Sequence, residues 1–149
     1  PDYKPARVAL AATLINQGRN VEAEKTLLAG LQEDPGYSPY AELVAHLLVQ
    51  NNHIDEALKA LKKAQPNSIS ENPDYFAFMA ALYLQQGQYE QSATLYQQLT
   101  TFNGKNANWW AGLSISLRKL GQLQKAGQAF QQAKNADNLS PELAAYLQQ

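Results

Sequence analysis

Residues 76–99 read Phe-Ala-Phe-Met-Ala-Ala-Leu-Tyr-Leu-Gln-Gln-Gly-Gln-Tyr-Glu-Gln-Ser-Ala-Thr-Leu-Tyr-Gln-Gln-Leu, and this stretch decides the fold. Phe76, Met79, Ala80 and Tyr83 recur at i, i+3, i+4 and i+7, the stripe of an amphipathic helix. Gly87 interrupts the pattern, and a second stripe resumes with Tyr89, Ser92, Tyr96 and Leu99. Large and small residues alternate along both stripes, as two closely packed antiparallel helices require.

Working outward, the same features repeat. Gly18, Asn52, Gly87 and Gly121 mark turns separated by 34, 35 and 34 residues. Asn is the natural substitute for Gly there, because both tolerate the left-handed conformation that ends a helix. Five positions after each turn stands a small residue: Ala23, Ala57, Ser92 and Ala126. Four further on come Leu27, Leu61, Tyr96 and Phe130. A helix–turn–helix unit of this period, with aromatic, apolar, small and aromatic residues in this order, resembles the tetratricopeptide repeat (TPR). The resemblance implies an all-α, right-handed α-solenoid of four such units plus a C-terminal capping helix. We expect a single domain, residues 1–149, with repeats at about 4–37, 38–71, 73–106 and 107–140 and the capping helix at 141–149.

Composition agrees. Twelve basic and 13 acidic residues leave a net charge of −1, which gives no global electrostatic case for nucleic acid or an anionic membrane surface. Gln and Asn supply 28 residues, in place of the Lys and Glu that usually solvate helix surfaces. No apolar run is long enough to span a bilayer, so no membrane contact by this segment is expected. With no cysteine, disulfides and thiolate metal sites are excluded while the redox compartment stays open. The chain begins at Pro1 without Met or signal peptide, and we expect it to be a fragment of something longer.

Within the repeats, Pro5 starts the first helix, Leu10, Ala11 and Leu14 form its buried stripe, and Asp34-Pro35-Gly36 ends the second helix, which carries Val21, Ala23, Leu27, Gly30 and Leu31. Arg7 stands where the motif usually has Trp, giving the first unit a partly polar outer face. Ser38-Pro39 reads as a capping hydroxyl before a proline at the first helical position. The stripes of the second unit are Leu43, Val44, Leu47 and Leu48, then Ile54, Ala57, Leu58 and Leu61. Pro66 comes early, and the segment to Asn72 holds one extra residue, so a joint is expected there. In the fourth unit Trp110 takes the motif's Trp position, ahead of Leu113, Ser114, Leu117, Ala126, Phe130 and Ala133, while Trp109 is expected to pack on the preceding repeat. Ser140-Pro141-Glu142 opens the last helix, with Leu143, Ala144 and Leu147.

Nothing in the sequence supports catalysis. Glu42 and His46 lie one helical turn apart and read as a solvated pair, while His53 sits in a turn. No two histidines stand at i, i+4 and no carboxylates show ligand spacing, so no metal or cofactor is expected. There is no Gly-rich phosphate loop and no nucleophile elbow. Lys59, Lys62 and Lys63 read as a solvated helix face.

The TPR resemblance implies that the first helices line a concave groove. Aligned with the motif, groove positions are Val8, Ala12, Ile15 and Asn16, then Glu42, His46, Val49 and Gln50, then Ala77, Ala81, Leu84 and Gln85, and finally Ala111, Ile115, Arg118 and Lys119. Ala12, His46, Ala81 and Ile115 occupy the places where the carboxylate-gripping TPR subclass has Asn, so that clamp is absent. The expected partner is a protein or peptide segment that inserts apolar side chains and sets acidic residues near Arg118 and Lys119. Asn72-Pro73-Asp74-Tyr75, the stripe through Gln86-Gly87, Trp109-Trp110-Ala111-Gly112-Leu113 and Leu139-Ser140-Pro141-Glu142-Leu143 together further resemble TPR proteins of type IV pilus biogenesis, of the mannose-sensitive haemagglutinin (MSHA) class. That resemblance implies a bacterial periplasmic scaffold working with pilus assembly components, held to the inner membrane by a single apolar helix N-terminal to Pro1. The alternative is a cytoplasmic or periplasmic TPR adaptor, or co-chaperone-like module, in another bacterial complex.

Overall fold

A computed structural model describes residues 3–136 and 140–147. The chain alternates helices and short turns: α1 (Lys4–Asn16), α2 (Asn20–Glu33), α3 (Ser38–Gln50), α4 (Ile54–Lys63), a 3-10 turn (Ile69–Glu71), α5 (Pro73–Gln85), α6 (Tyr89–Phe102), α7 (Ala107–Lys119), α8 (Leu123–Asn135) and α9 (Pro141–Leu147). No strand occurs among the described residues.

The turns come first in the physical order. Gly18, Gly87 and Gly121 have φ of +76°, +76° and +79°, and Asn52 has +62°, all in the left-handed region that glycine and asparagine tolerate. Each turn closes with the same pair of backbone bonds. At the first, Gly18 N–H donates to Ile15 O at 2.9 Å and Arg19 N–H to Leu14 O at 2.8 Å. The others repeat this: His53 to Leu48 at 2.7 Å, Gln88 to Tyr83 at 2.9 Å, and Gln122 to Leu117 at 2.9 Å. This double closure satisfies carbonyls that a helix end leaves open, and it folds each second helix back on the first.

Asn72 and Asn106 cap α5 and α7, their Oδ1 atoms accepting from Tyr75 N and Trp109 N at 3.2 Å each. Ser38 does not act as the expected cap. It already lies inside α3, with Pro39 after it, and its hydroxyl donates to Ala64 O at 2.7 Å, tying α3 to the end of α4.

The chain divides at the expected joint into two compact units, one ending at Pro66 and one beginning at Asn67. Here α4 is shorter than the other second helices, at 10 residues, and the 3-10 turn takes up the extra length. In unit 1, α1 packs on α2, α2 on α3 and α3 on α4. In unit 2 the same order links α5, α6, α7 and α8, and α9 lies against α7. Pairs stacked in chain order are the arrangement of an α-solenoid.

Small residues permit the close crossings. A Cβ on Gly30 would stand 2.6 Å from the Tyr40 ring, and one on Gly112 would stand 2.3 Å from the Tyr96 ring. Ala23, Ala57, Ser92 and Ala126 are all buried, as the repeat requires. So are Leu27, Leu61 and Tyr96, while Phe130 is half-buried against Ala111 and Ala133.

Several expected core positions differ. Leu10 is 52% exposed and Val21 is 70% exposed, whereas Ala11 and Leu14 beside them are buried. Leu31, Leu43, Tyr83 and Trp110 are half-buried. Of the tryptophan pair, Trp109 is the buried member, on a helix that packs against α6, while Trp110 donates its Nε1–H to Gly104 O at 2.8 Å. Arg7, in the motif's Trp place, pairs across to Glu33 with contacts of 3.1 and 3.4 Å, so an ion pair joins α1 to α2. Leu139 lies outside the described residues, as do the side chains of Leu143 and Leu147.

Candidate functional site

The first helices carry every position assigned to the groove. In unit 1, α1 packs on α3, and Val8, Ala12, Ile15, Glu42 and Val49 are half-buried while Asn16, His46 and Gln50 are exposed. In unit 2, α5 packs on α7, and Ala77, Leu84 and Ile115 are half-buried while Ala81, Gln85, Arg118 and Lys119 are exposed. Each unit therefore offers its own stretch of these positions to solvent. Ala111 is the exception and a correction: it is fully buried against Ala133, with Trp110, Ile115 and Phe130 around it.

The apolar positions of this surface are half-buried, apart from exposed Ala81 and buried Ala111, and the other exposed positions are polar or charged. Arg118 and Lys119 occupy the last turn of α7, where a helix C-terminus favours cations. The ion pairs Lys4–Asp34, Arg7–Glu33 and Arg19–Glu22 belong to unit 1, where His53 Nδ1 also stands 3.7 Å from Glu56 Oε1. Lys4 hydrogen-bonds the Asp34 carboxylate and lowers its pKa, as Arg19 does for Glu22. Position by position, Arg118 takes the place of Ile15, Val49 and Leu84 in the other repeats, so a cation replaces an apolar residue in the fourth. Among the described residues no three His, Cys, Asp or Glu side chains gather as a metal-binding group. No helix among them is long and apolar enough to cross a membrane.

Sequence reasoning missed a second feature. A cleft of about 990 Å³ opens in unit 2 between α6 and α8, with α7 as its floor. Trp110, Leu113, Leu117 and Leu120 line the floor, and glutamines such as Gln97 and Gln128 line the walls. None of the groove positions borders it. Its signal was small residues on two second helices, Ala93 and Ala129, which leave the trough open between larger neighbours.

Comparison with known proteins agrees with the repeat architecture. Two tetratricopeptide repeat models match, one over residues 1–47 and the other over 79–141. The beta-barrel assembly-enhancing protease of Escherichia coli strain K12 is 29% identical over 107 residues, 72% of this chain and 22% of that protein. The protein of the same name from Shigella flexneri matches equally. The chain thus spans about a fifth of the length of the curated relatives it matches. Among solved structures, the MamA RS-1 ArsTM double mutant superposes with a TM-score of 0.82 at 16% identity, covering 99% of this chain and 82% of that one. MamA AMB-1 gives 0.76 at 17% identity, covering 93% and 76%. These likenesses are of fold.

Proposed function

The chain carries tetratricopeptide repeats, and we propose that it is a non-catalytic scaffold that binds protein or peptide segments on the exposed faces of its first helices. The observation that carries this reading is the unit 2 face of α5 and α7. There Ala81 is exposed beside half-buried Ala77, Leu84 and Ile115, and Arg118 and Lys119 stand at the end of α7 without an ion pair among the described residues. Such a surface suits a segment with apolar side chains and an acidic residue placed toward α7's C-terminus. The test is capture from a bacterial envelope extract by folded Ala81→Glu, compared with Lys62→Glu on α4. Loss of the partner with Ala81→Glu alone supports the proposal, and unchanged capture by it refutes the proposal.

The finer reading is a periplasmic domain, tethered to the inner membrane, that assists assembly of an MSHA-class type IV pilus. It rests on the sequence resemblance of residues 72–75, 109–113 and 139–143. A second reading, an adaptor serving another bacterial complex, is favoured by the 29% identity over 107 residues to proteins named for β-barrel assembly. Deleting the coding region separates the two: loss of surface pili with normal outer-membrane barrels supports the first, and the reverse supports the second.

A further inference from the structure

We propose that Asn103 is a self-modifying site, where the main chain of Gly104 converts the asparagine amide into aspartate and isoaspartate. Asn103-Gly104 is the single Asn-Gly pair in the 149 residues. It lies in the turn between α6 and α7, with both residues exposed. A glycine there leaves the attacking nitrogen unshielded, because no Cβ crowds the approach.

The turn favours the attack. Asn103 ends α6 with extended backbone, φ −144° and ψ 101°. Lys105 N–H donates to Asn103 Oδ1 at 3.0 Å, folding the side-chain amide toward the next peptide. The Gly104 N–H, the nucleophile, donates to no group among the described residues. After Asn16, Asn51 and Asn52 the following amide is occupied: Gln17 N–H donates to Thr13 O at 3.1 Å, Asn52 N–H to Val49 O at 3.0 Å and His53 N–H to Leu48 O at 2.7 Å. Pro73, after Asn72, has no N–H to give. The equivalent turn of unit 1, Asp34-Pro35-Gly36, has the same side-chain bond, from Gly36 N–H to Asp34 Oδ1 at 3.2 Å, but a proline nitrogen in the attacking place.

The step is a ring closure followed by hydrolysis. Gly104 N gives its proton to solvent base and bonds to Asn103 Cγ, while Lys105 N–H stabilises the charge growing on Oδ1. The Cγ–Nδ2 bond breaks, Nδ2 takes up a proton and leaves as ammonia, and a cyclic succinimide remains. Water opens the ring at Cγ to give aspartate, or at the main-chain carbonyl carbon to give isoaspartate. Aspartate keeps the turn, as Asp34 does in unit 1. Isoaspartate adds a methylene to the main chain beside Gly104, whose carbonyl accepts the Trp110 Nε1–H at 2.8 Å. Trp110 lines the floor of the cleft between α6 and α8, so the modification reaches that cleft through this bond.

The test incubates the folded protein at mildly alkaline pH, follows each asparagine by peptide mapping with mass spectrometry, and repeats this with Gly104→Ala. That variant should fold: Gly104 has no left-handed φ, and the added Cβ would stand 3.5 Å from Thr100 O and 4.0 Å from the Trp110 ring, ordinary contact distances. The amide-to-acid mass change should appear first at position 103, ahead of exposed Asn67 before Ser68. Gly104→Ala should slow it about ten-fold or more, with an unchanged urea midpoint. Isoaspartate, detected by enzymatic methylation, should accompany faster solvent exchange of the Trp110 indole proton. Earlier reaction at Asn67, equal rates in the parent and Gly104→Ala, or reaction confined to the urea-unfolded chain would overturn the proposal.

Discussion

Ser92 Oγ and Ser116 Oγ lie 2.9 Å apart with both side chains fully buried, joining α6 to α7 inside unit 2. Ser92 Oγ is also 2.9 Å from Ala80 O, and Ser116 Oγ is 2.8 Å from Gly112 O. Two hydroxyl protons serve three contacts. Only two of the three can carry a proton at once, and either hydroxyl can be the donor between them; the cluster joins α7, α6 and α5.

Breaking that cluster should be measurable. Ser92→Ala and Ser116→Ala should each cost about 1 kcal/mol in urea unfolding, the net worth of a buried hydrogen bond. The double variant should cost less than the sum, by about 0.5 kcal/mol or more, because both remove the same contact. Strict additivity would show that the hydroxyls act separately.

Gly112→Ala should destabilise the protein, although Ala is favoured over Gly in a helix by about 1 kcal/mol. The added Cβ meets the Tyr96 ring, which is buried and has little room to swing aside, and such overpacking costs about 1–3 kcal/mol. In a Tyr96→Ala background the same substitution should become neutral or stabilising. A sign that does not change between backgrounds would mean that the ring is not what the methyl meets.

Burial pushes the Tyr96 hydroxyl up to about 12. Since the folded value lies above the ordinary one near 10, its contribution is complete below pH 10 and is lost as pH rises toward 12. The loss should approach about 3 kcal/mol, because each pH unit between the unfolded and folded values is worth roughly 1.4 kcal/mol. Urea unfolding between pH 9 and about 12 checks this: Tyr96→Phe should flatten the decline relative to the parent, and an equally steep decline would exclude Tyr96 as its source.

Much of the fold is legible in the sequence because its constraints are local. A left-handed turn admits Gly18 or Asn52 and few alternatives, and a close helix crossing admits Ala23 or Ser92. Leu10 departs from the expected core for a non-local reason. Periodicity places it on an apolar face but says nothing about whether another helix covers that face. Ser38 departs from the expected cap because the Ser-Pro pair sits one residue inside the helix, which frees the hydroxyl to reach Ala64. The candidate site is less legible. First and second helices both carry surface residues, so the repeat pattern alone does not choose between the face bearing Ala81 and the trough lined by Gln128.

That choice is the central claim, and site-specific photo-crosslinking tests it most directly. A photoreactive amino acid placed at Ala81 on α5, and separately at Gln128 on α8, would be irradiated in cells of the source organism and adducts identified by mass. A discrete protein adduct from position 81, weakened by Arg118→Glu and absent from position 128, is the result expected for a partner held on the first-helix face. A discrete adduct from position 128 with none from position 81 would contradict it and move the binding site into the cleft between α6 and α8.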